Sequence, residues 1–192
     1  MRPFKFITFA IILTVFLPAT SFALFVGPYT GQVLDSQTGE TIKGASVLIY
    51  WEKSIPSPAG SFSESIKAKL VYADNKGNYM IPRNLASTGL LGFFEATTII
   101  IYQPGYQAYI NRIYGKESDD SFKKKDNILK LERIPSGFDH KKHHDRITDA
   151  LRGLDNEFHD SMGYSVPFHK IVEQNQILTE MWEFQRRIEW EE

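Results

Sequence analysis

The fold is decided by the stretch from Gly31 to Trp51, which reads GQVLDSQTGETIKGASVLIYW. Its apolar start ends at Asp35 to Gly39, where polar side chains can cap their own backbone and a glycine can adopt a positive φ. From Ala45 onward the residues alternate between two faces with the period of a strand, and both faces are apolar, so we expect both to be covered. We therefore predict two antiparallel strands joined by a polar turn, with Gly44 at a bulge or a close backbone approach.

The same patterns predict further strands downstream. Lys69 to Tyr72 and Asn78 to Ile81 read as hairpin partners around the turn from Asp74 to Gly77. Thr97 to Tyr102 is a continuous β-branched and aromatic run, which is typical of a strand buried on both faces. We predict that this run is the central strand and that Gln107 to Tyr114 returns beside it.

Two connections are predicted between these strands. Glu52 to Lys67 contains Pro56, Pro58, Gly60 and five serines, a composition that indicates a loop leaving the sheet edge, either as a binding loop or as an insertion without a role. Leu85 to Phe94 is apolar and contains glycine. We expect this second connection to be buried against the core.

Several short motifs resemble the carboxypeptidase regulatory-like domain, a small transthyretin-like (prealbumin-like) β-sandwich. The resemblance covers about Thr30 to Pro135, and Ile128 to Leu131 is similar to the closing strand of that family. The matching turn residues are Gly31, Asp35, Gly39, Gly44, Ala45, Asp74, Gly77, Pro104, Gly105 and Tyr106. The resemblance implies an antiparallel sandwich of about seven strands that serves as a non-catalytic folding, interaction or sugar-binding unit.

The first 23 residues have the three-part layout of a secretory signal. Arg2 and Lys5 precede an apolar run from Phe6 to Leu17, and a small-residue site ends at Ala23. We predict cleavage after Ala23, which makes the mature protein periplasmic or secreted and not a permanent membrane protein. The alternative is a retained membrane anchor, although the run is short for a transmembrane helix.

Composition narrows the possible partners. The whole chain has 22 basic and 23 acidic residues, and the leader holds two of the basic ones, so the mature chain carries a formal charge of −3 (20 basic against 23 acidic residues). This charge disfavours nucleic acid as a partner. The chain has no cysteine, so neither a disulfide framework nor a lipid-attached cysteine is available.

After Pro135 the hydrophobic period changes from two to about 3.6, which predicts a boundary between a sandwich at 24–135 and a helical hairpin at 136–192. Ser136 is predicted to cap the first helix. Its apolar stripe consists of Ile147, Leu151, Leu154 and Phe158.

The second predicted helix begins near Pro167 and carries two adjoining apolar rows, more than one helix partner can bury. We expect one row to dock on the sandwich, on a second copy of the chain or on a partner, with docking on the sandwich favoured. Trp182 and Phe184 are the predicted partner-binding residues.

Histidines are the candidate metal ligands of the tail, and His169 with Glu173 could add to them if the two helices pair, although a surface side-chain pair explains these two as well. His140, His143 and His144 have the i, i+3, i+4 spacing that gathers three imidazoles on one side of a helix. Lysines between them favour an ordinary charged helix end instead. A metal-binding or metal-sensing envelope protein is therefore the alternative hypothesis.

We find no nucleophile elbow, Cys/His pair, H-E-x-x-H motif, phosphate-binding glycine loop or paired-carboxylate cleft in the sequence. The sequence predicts no enzyme and no cofactor. The leading hypothesis is an exported β-sandwich module for protein interaction or carbohydrate binding, with an envelope protein or a glycan as its partner and a homodimer through the tail as one possibility.

Overall fold

A computed structural model describes residues 23–89, 92–115, 122–155, 179–180 and 182–188. Within these residues the chain forms nine strands and one long helix. The strands are β1 Ala23–Val26, β2 Tyr29–Asp35, β3 Ser46–Ser57, β4 Gly60–Tyr72, β5 Asn78–Ile81, β6 Asn84–Ser87, β7 Phe93–Tyr102, β8 Tyr109–Tyr114 and β9 Asn127–Leu131. The helix is α1 His140–Asp155, and residues 179–180 and 182–188 are helical too.

Two sheets form the sandwich, and a two-stranded ribbon of β1 and β6 accompanies them. The larger sheet has the order β4-β3-β7-β8 and is antiparallel throughout. The smaller sheet has the order β5-β2-β9, in which β2 pairs antiparallel with β5 and parallel with β9. The predicted mainly β fold with a small helical part is confirmed.

The core between the two sheets is built from alternate residues of the facing strands. In β3 these residues are Val47, Ile49 and Trp51, all fully buried, and β2 contributes Val33 from the opposite sheet. Residues of the other parity in β3, Leu48 and Tyr50, belong to a second buried cluster on the outer face of the larger sheet. Both faces of β3 are therefore covered, as its sequence predicts.

The prediction that β2 and β3 form a hairpin is wrong. The polar turn does fold back on β2, since the Ile42 N–H donates to the Val33 carbonyl and Thr41 bridges to Leu34, but the chain then crosses to the other sheet. The physical reason lies in the side chains. Thr30 and Gln32 give β2 a polar face suited to solvent, whereas β3 needs an apolar layer on each side.

The predicted hairpin of Lys69 to Tyr72 with Asn78 to Ile81 is also wrong. β4 pairs with β3 in the larger sheet, and β5 pairs with β2 in the smaller one. The turn at Asp74 to Gly77 is present, with the Gly77 N–H donating to the Asp74 carbonyl at 3.0 Å. This turn therefore connects β4 of the larger sheet to β5 of the smaller sheet.

The loop predicted from Glu52 to Lys67 is also wrong, because β3 and β4 continue through this segment as one long hairpin that turns at Pro58 and Ala59. β7 pairs with β3 only as far as Ser54. Among the described residues β3 has one neighbouring strand beyond Ser54, so a proline, which cannot donate to a second strand, is tolerated at position 56.

Thr97 to Tyr102 is buried and lies in β7 between β3 and β8, which confirms the prediction of an internal strand. The predicted burial of Leu85 to Phe94 fails at Leu85 and Phe93, whose side chains are exposed, while Phe94 packs against the inner core. Pairing of β6 with β1 explains Leu85, because one face of that ribbon points to solvent.

The helical segments cover the outer face of the larger sheet. Ile147, Leu151 and Leu154 of α1, with Phe184 and Ile188 from the C-terminal residues, are buried there against the sheet. The predicted Phe158 and the start of the second helix lie outside the described residues. The boundary at Pro135 stays a prediction.

The predicted cap of α1 is displaced. The helix begins at His140, and the Asp139 carboxylate accepts a hydrogen bond from the Lys142 N–H at 2.9 Å. Asp139 rather than Ser136 is thus the N-cap, because its side chain satisfies a donor that the first turn leaves open.

Candidate functional site

The outer face of the larger sheet carries, on the side of the β3–β4 turn, a group of polar and aromatic side chains that we call the arm surface. Hydrogen bonds, ion pairs and strand alternation place these residues on one face. The arm surface consists of Glu52, Ser63, Phe93, Glu95, Arg112 and Tyr114.

Arg112 of β8 is the centre of the arm surface. Its Nη2 lies 3.2 Å from Glu52 Oε1 and 3.8 Å from Glu95 Oε1, so one nitrogen contacts both carboxylates. Ser63 Oγ donates to Glu95 Oε2 at 2.6 Å, which connects β4 to β7. The guanidinium has five N–H donors in all, so it can also reach a ligand.

Glu52 is buried, with 2% of its surface exposed, and its other carboxylate oxygen accepts from the Thr98 hydroxyl at 3.4 Å. Burial raises the pKa of this carboxyl, the Arg112 charge opposes that effect, and the Glu95 charge adds to it. A buried carboxylate paired with a guanidinium fixes the direction in which Arg112 points. Glu52 is thus a positioning group for the exposed part of the arm surface.

Two aromatic rings flank the charged group. Tyr114 is 66% exposed and lies under the Arg112 guanidinium, 5.1 Å from the ring centroid. Phe93 is 68% exposed and pairs with Ser54, which lies two residues after Glu52 on β3, so Phe93 lies on the same face as Glu52. The arm surface therefore combines two accessible rings with charged donors and acceptors held by neighbouring strands, the mixture that small-ligand sites use for orientation.

Two of the turn residues predicted from the sequence, Asp35 and Tyr106, are in contact at the end of the larger sheet that lies opposite the arm surface. Asp35 is buried, and its Oδ1 accepts from the Gln37 and Thr38 N–H groups at 2.8 and 3.0 Å. Its Oδ2 accepts from the Tyr106 hydroxyl at 2.9 Å and from Arg133 Nε at 2.6 Å. The Arg133 bond, followed by the backbone bonds, holds the pKa of this carboxyl well below its usual range.

Asp74 and two of the predicted glycines shape the smaller sheet. Asp74 Oδ1 accepts from the Lys76 and Asn78 N–H groups, both at 2.8 Å. A Cβ on Gly31 would lie 2.6 Å from the Tyr79 hydroxyl, and one on Gly77 would lie 2.7 Å from a backbone oxygen. These positions are explained by close approach of neighbouring strands.

Other predicted turn residues have a backbone role. Gly39, Gly44 and Gly105 have positive φ angles of 73°, 73° and 78°. No atom lies within 4 Å of a Cβ built on Gly44, so the close approach predicted there is wrong, and its backbone conformation is the reason for glycine. Ala45 is fully buried in the core, and Pro104 lies in the turn before Tyr106.

The three histidines do not converge. His143 is buried, and its Nε2 accepts from the Ala108 N–H at 2.8 Å, while His140 is exposed and His144 is half-buried. Burial, followed by the Arg146 charge, lowers the pKa of His143. Among the described residues no group of three or more His, Cys, Asp or Glu could hold a metal ion.

The two residues predicted to bind a partner lie in different environments. Phe184 is buried in the outer cluster, edge-on to Tyr102 at 6.3 Å between ring centroids, so it anchors the helix to the sheet. Trp182 is 57% exposed. Of this pair, only Trp182 is accessible.

The sequence patterns did not indicate Glu52, Glu95, Arg112 and Arg133 as residues of a site. One local signal was available for the arm. Ser61, Ser63 and Ser65 alternate with Phe62, Glu64 and Ile66, which is the two-residue period of a strand. The contacts of Arg112 and Arg133 join residues far apart in the chain and carry no local signal.

In the part of the chain that the structure describes, no helix has the length and apolar character needed to cross a bilayer. No protein-family model and no curated protein matches the sequence. Among solved structures, the C-terminal domain of the shaft pilin spaA from Lactobacillus rhamnosus GG is similar, with a TM-score of 0.27 and 16% identity over 59% of this chain and 98% of the pilin domain. A TM-score this low does not establish a common fold or function.

Proposed function

We propose that the protein is an exported, non-catalytic β-sandwich module that binds carbohydrate on the arm surface. The observation that carries this proposal is the pair of exposed rings, Phe93 and Tyr114, beside the cluster of Arg112 and its two carboxylates. A sugar presents an apolar C–H face, which stacks on an aromatic ring, and hydroxyl groups, which both donate and accept hydrogen bonds.

The charge of the arm surface supports a neutral sugar as the ligand. Arg112 lies between Glu52 and Glu95, so one positive and two negative groups stand side by side there, with a formal charge of −1. A polyanion would be repelled by the carboxylates, and a polycation would meet the guanidinium. Hydroxyl groups can use both kinds of partner without burying an unpaired charge.

We further propose that residues 24–135 form a carboxypeptidase regulatory-like domain. The proposal is supported by contact between two of the family's motifs. Asp35 of the first turn accepts a hydrogen bond from the hydroxyl of Tyr106 in the Pro-Gly-Tyr turn. Export is proposed from the first 23 residues, which lie outside the described residues except for Ala23. N-terminal sequencing of the exported protein should begin at Leu24.

A glycan array with the mature chain tests carbohydrate binding. Phe93→Ala and Tyr114→Ala should each lower affinity for the bound glycan about tenfold, because each removes a stacking ring worth roughly 1 kcal/mol or more. Met80→Ala is the matched control, since Met80 is equally exposed but lies on the smaller sheet. Equal binding by all variants would reject the arm surface, and an array without any bound glycan would reject carbohydrate as the ligand.

A further inference from the structure

β4 is an outermost strand of the larger sheet, and the helical residues near the C-terminus lie along part of its edge. We call residues 179–180 and 182–188 the C-terminal segment. Its contacts with β4 come from positions with helical i, i+3, i+4, i+7 spacing. These residues are Glu180, Glu183, Phe184 and Arg187.

Glu180 occupies the hydrogen-bonding edge of β4. Its Oε2 accepts from the Leu70 backbone N–H at 2.8 Å, and its Oε1 lies 2.8 Å from Lys69 Nζ. Only 12% of the Glu180 side chain is exposed. In an antiparallel strand, such an outward N–H would donate to a carbonyl of an added strand, so the carboxylate takes the place of a neighbouring strand.

The flanking contacts hold the segment in register with the strand. Glu183 Oε1 accepts from the Tyr72 hydroxyl at 2.5 Å, and the Arg187 guanidinium lies 5.0 Å from the Tyr72 ring centroid. Phe184 is buried between these positions. The described residues of the segment contact Lys69, Leu70 and Tyr72 near the C-terminal end of β4, which starts at Gly60.

We propose that Glu180 guards the β4 edge against strand addition, and that loss of this contact lets the edge pair with the β4 edge of a second copy of the chain. Two identical edges can pair antiparallel about a twofold axis and form a closed dimer. Glu64 on β4 is already paired with Lys53 at 3.0 Å, so the pairing would rest on backbone hydrogen bonds, which the twofold axis provides equally to both copies. This inference is independent of the proposed carbohydrate site.

Size-exclusion chromatography with light scattering over a range of concentrations tests the guard in the full mature chain. Wild type should be monomeric, and Glu180→Ala should lower the dimer dissociation constant about tenfold or more, since several new backbone hydrogen bonds form. Glu180→Leu keeps the side-chain bulk and should behave in the same way. Dimerisation of Glu180→Leu would show that loss of the acceptor oxygen, and not loosening of the helix by a smaller side chain, exposes the edge.

Two controls separate the edge contact from the loss of charge or packing. Glu180→Gln loses the Lys69 ion pair but keeps an oxygen that accepts from Leu70, so it should stay monomeric. Glu183→Ala removes the Tyr72 contact but leaves Glu180 on the Leu70 N–H, so it should stay monomeric as well. Association of these controls to the same extent as Glu180→Ala would overturn the proposal, as would monomeric Glu180→Ala and Glu180→Leu.

Because the chain has no cysteine, an introduced one reports the contact directly. In the Glu180→Ala background, Lys67→Cys on β4 should form a disulfide-linked dimer under oxidation. Lys130→Cys on β9 should not. A dimer that crosslinks through β9 and not through β4 would show that another surface associates, and would also overturn the proposal.

Discussion

The outer faces of the two sheets differ in what covers them. On the larger sheet, Leu48, Tyr50 and Ile100 face outward and are buried beneath helical residues. On the smaller sheet, Met80 and Ile128 face outward and are exposed. The difference follows the sequence, because the outward residues of the larger sheet beneath the helices are mainly apolar, whereas the outward residues Thr30 and Gln32 of β2 are polar.

Hydrogen bonds as well as apolar contacts join the helical cover to the residues beneath it. The Tyr50 hydroxyl donates to the Ala150 carbonyl at 2.5 Å, and Arg146 Nη2 donates to the Ala108 carbonyl at 2.6 Å. The sheet therefore contributes polar contacts as well as an apolar surface. The smaller sheet obtains its stability from one packed face and from its turns.

The largest expected difference comes from removing the cover. Deletion of residues 136–192 should lower the melting temperature strongly and produce binding of an apolar dye, because each large side chain that loses its burial costs about 1.5 to 3 kcal/mol. Differential scanning fluorimetry and dye titration measure both effects. A truncated chain that melts like the full one and binds no dye would show that the larger sheet does not need its cover.

A matched pair of point variants sharpens the comparison. Leu151→Ala should destabilise the protein by about 2 to 5 kcal/mol, because Leu151 is buried between α1 and the sheet. Ile128→Ala should change stability by less than about 0.5 kcal/mol, because Ile128 is 65% exposed. Urea unfolding measures both, and similar losses would contradict the assignment of one covered and one bare face.

The smallest expected effect is a pH dependence confined to the covered face. Neutral His143 accepts the Ala108 N–H, and its pKa lies below the ordinary 6.5. The unfolded chain thus binds the proton more readily, so the His143 contribution is complete above about pH 6.5 and is lost as the pH falls through the folded-state value.

His143→Gln keeps an acceptor without a titrating ring, and should flatten the decline in stability below about pH 6.5. His144→Gln is the control on the same helix and should retain the decline. Chemical unfolding at a series of pH values tests the pair. Identical profiles for His143→Gln and wild type would exclude His143 as the origin.

Much of the local structure was predictable. The turn at Asp35, the buried strand from Thr97 to Tyr102 and the apolar stripe of Ile147, Leu151 and Leu154 all follow from short-range patterns. The predictions failed where two features compete. Pro56 and the serines near it resemble a loop, but strand alternation and a single neighbouring strand allow them to extend the hairpin.

The arm surface was not predictable in the same way. Glu52 follows a buried strand, and Arg112 lies 60 residues later, so nothing local indicates their ion pair. Phe93 is apolar, and apolar residues are usually buried, but its place at the end of β7 leaves the ring in solvent.

By itself, the sequence determined the position of several turns and buried strands and which strands are apolar on both faces, because φ preferences and side-chain alternation are local properties of the chain. Only the tertiary structure decided which strand pairs with which, that the helical residues cover the larger sheet, and that Glu180 meets the Leu70 N–H on β4. The physical reason is that a pattern shows that a face must be buried, whereas the surface that buries it comes from distant parts of the chain.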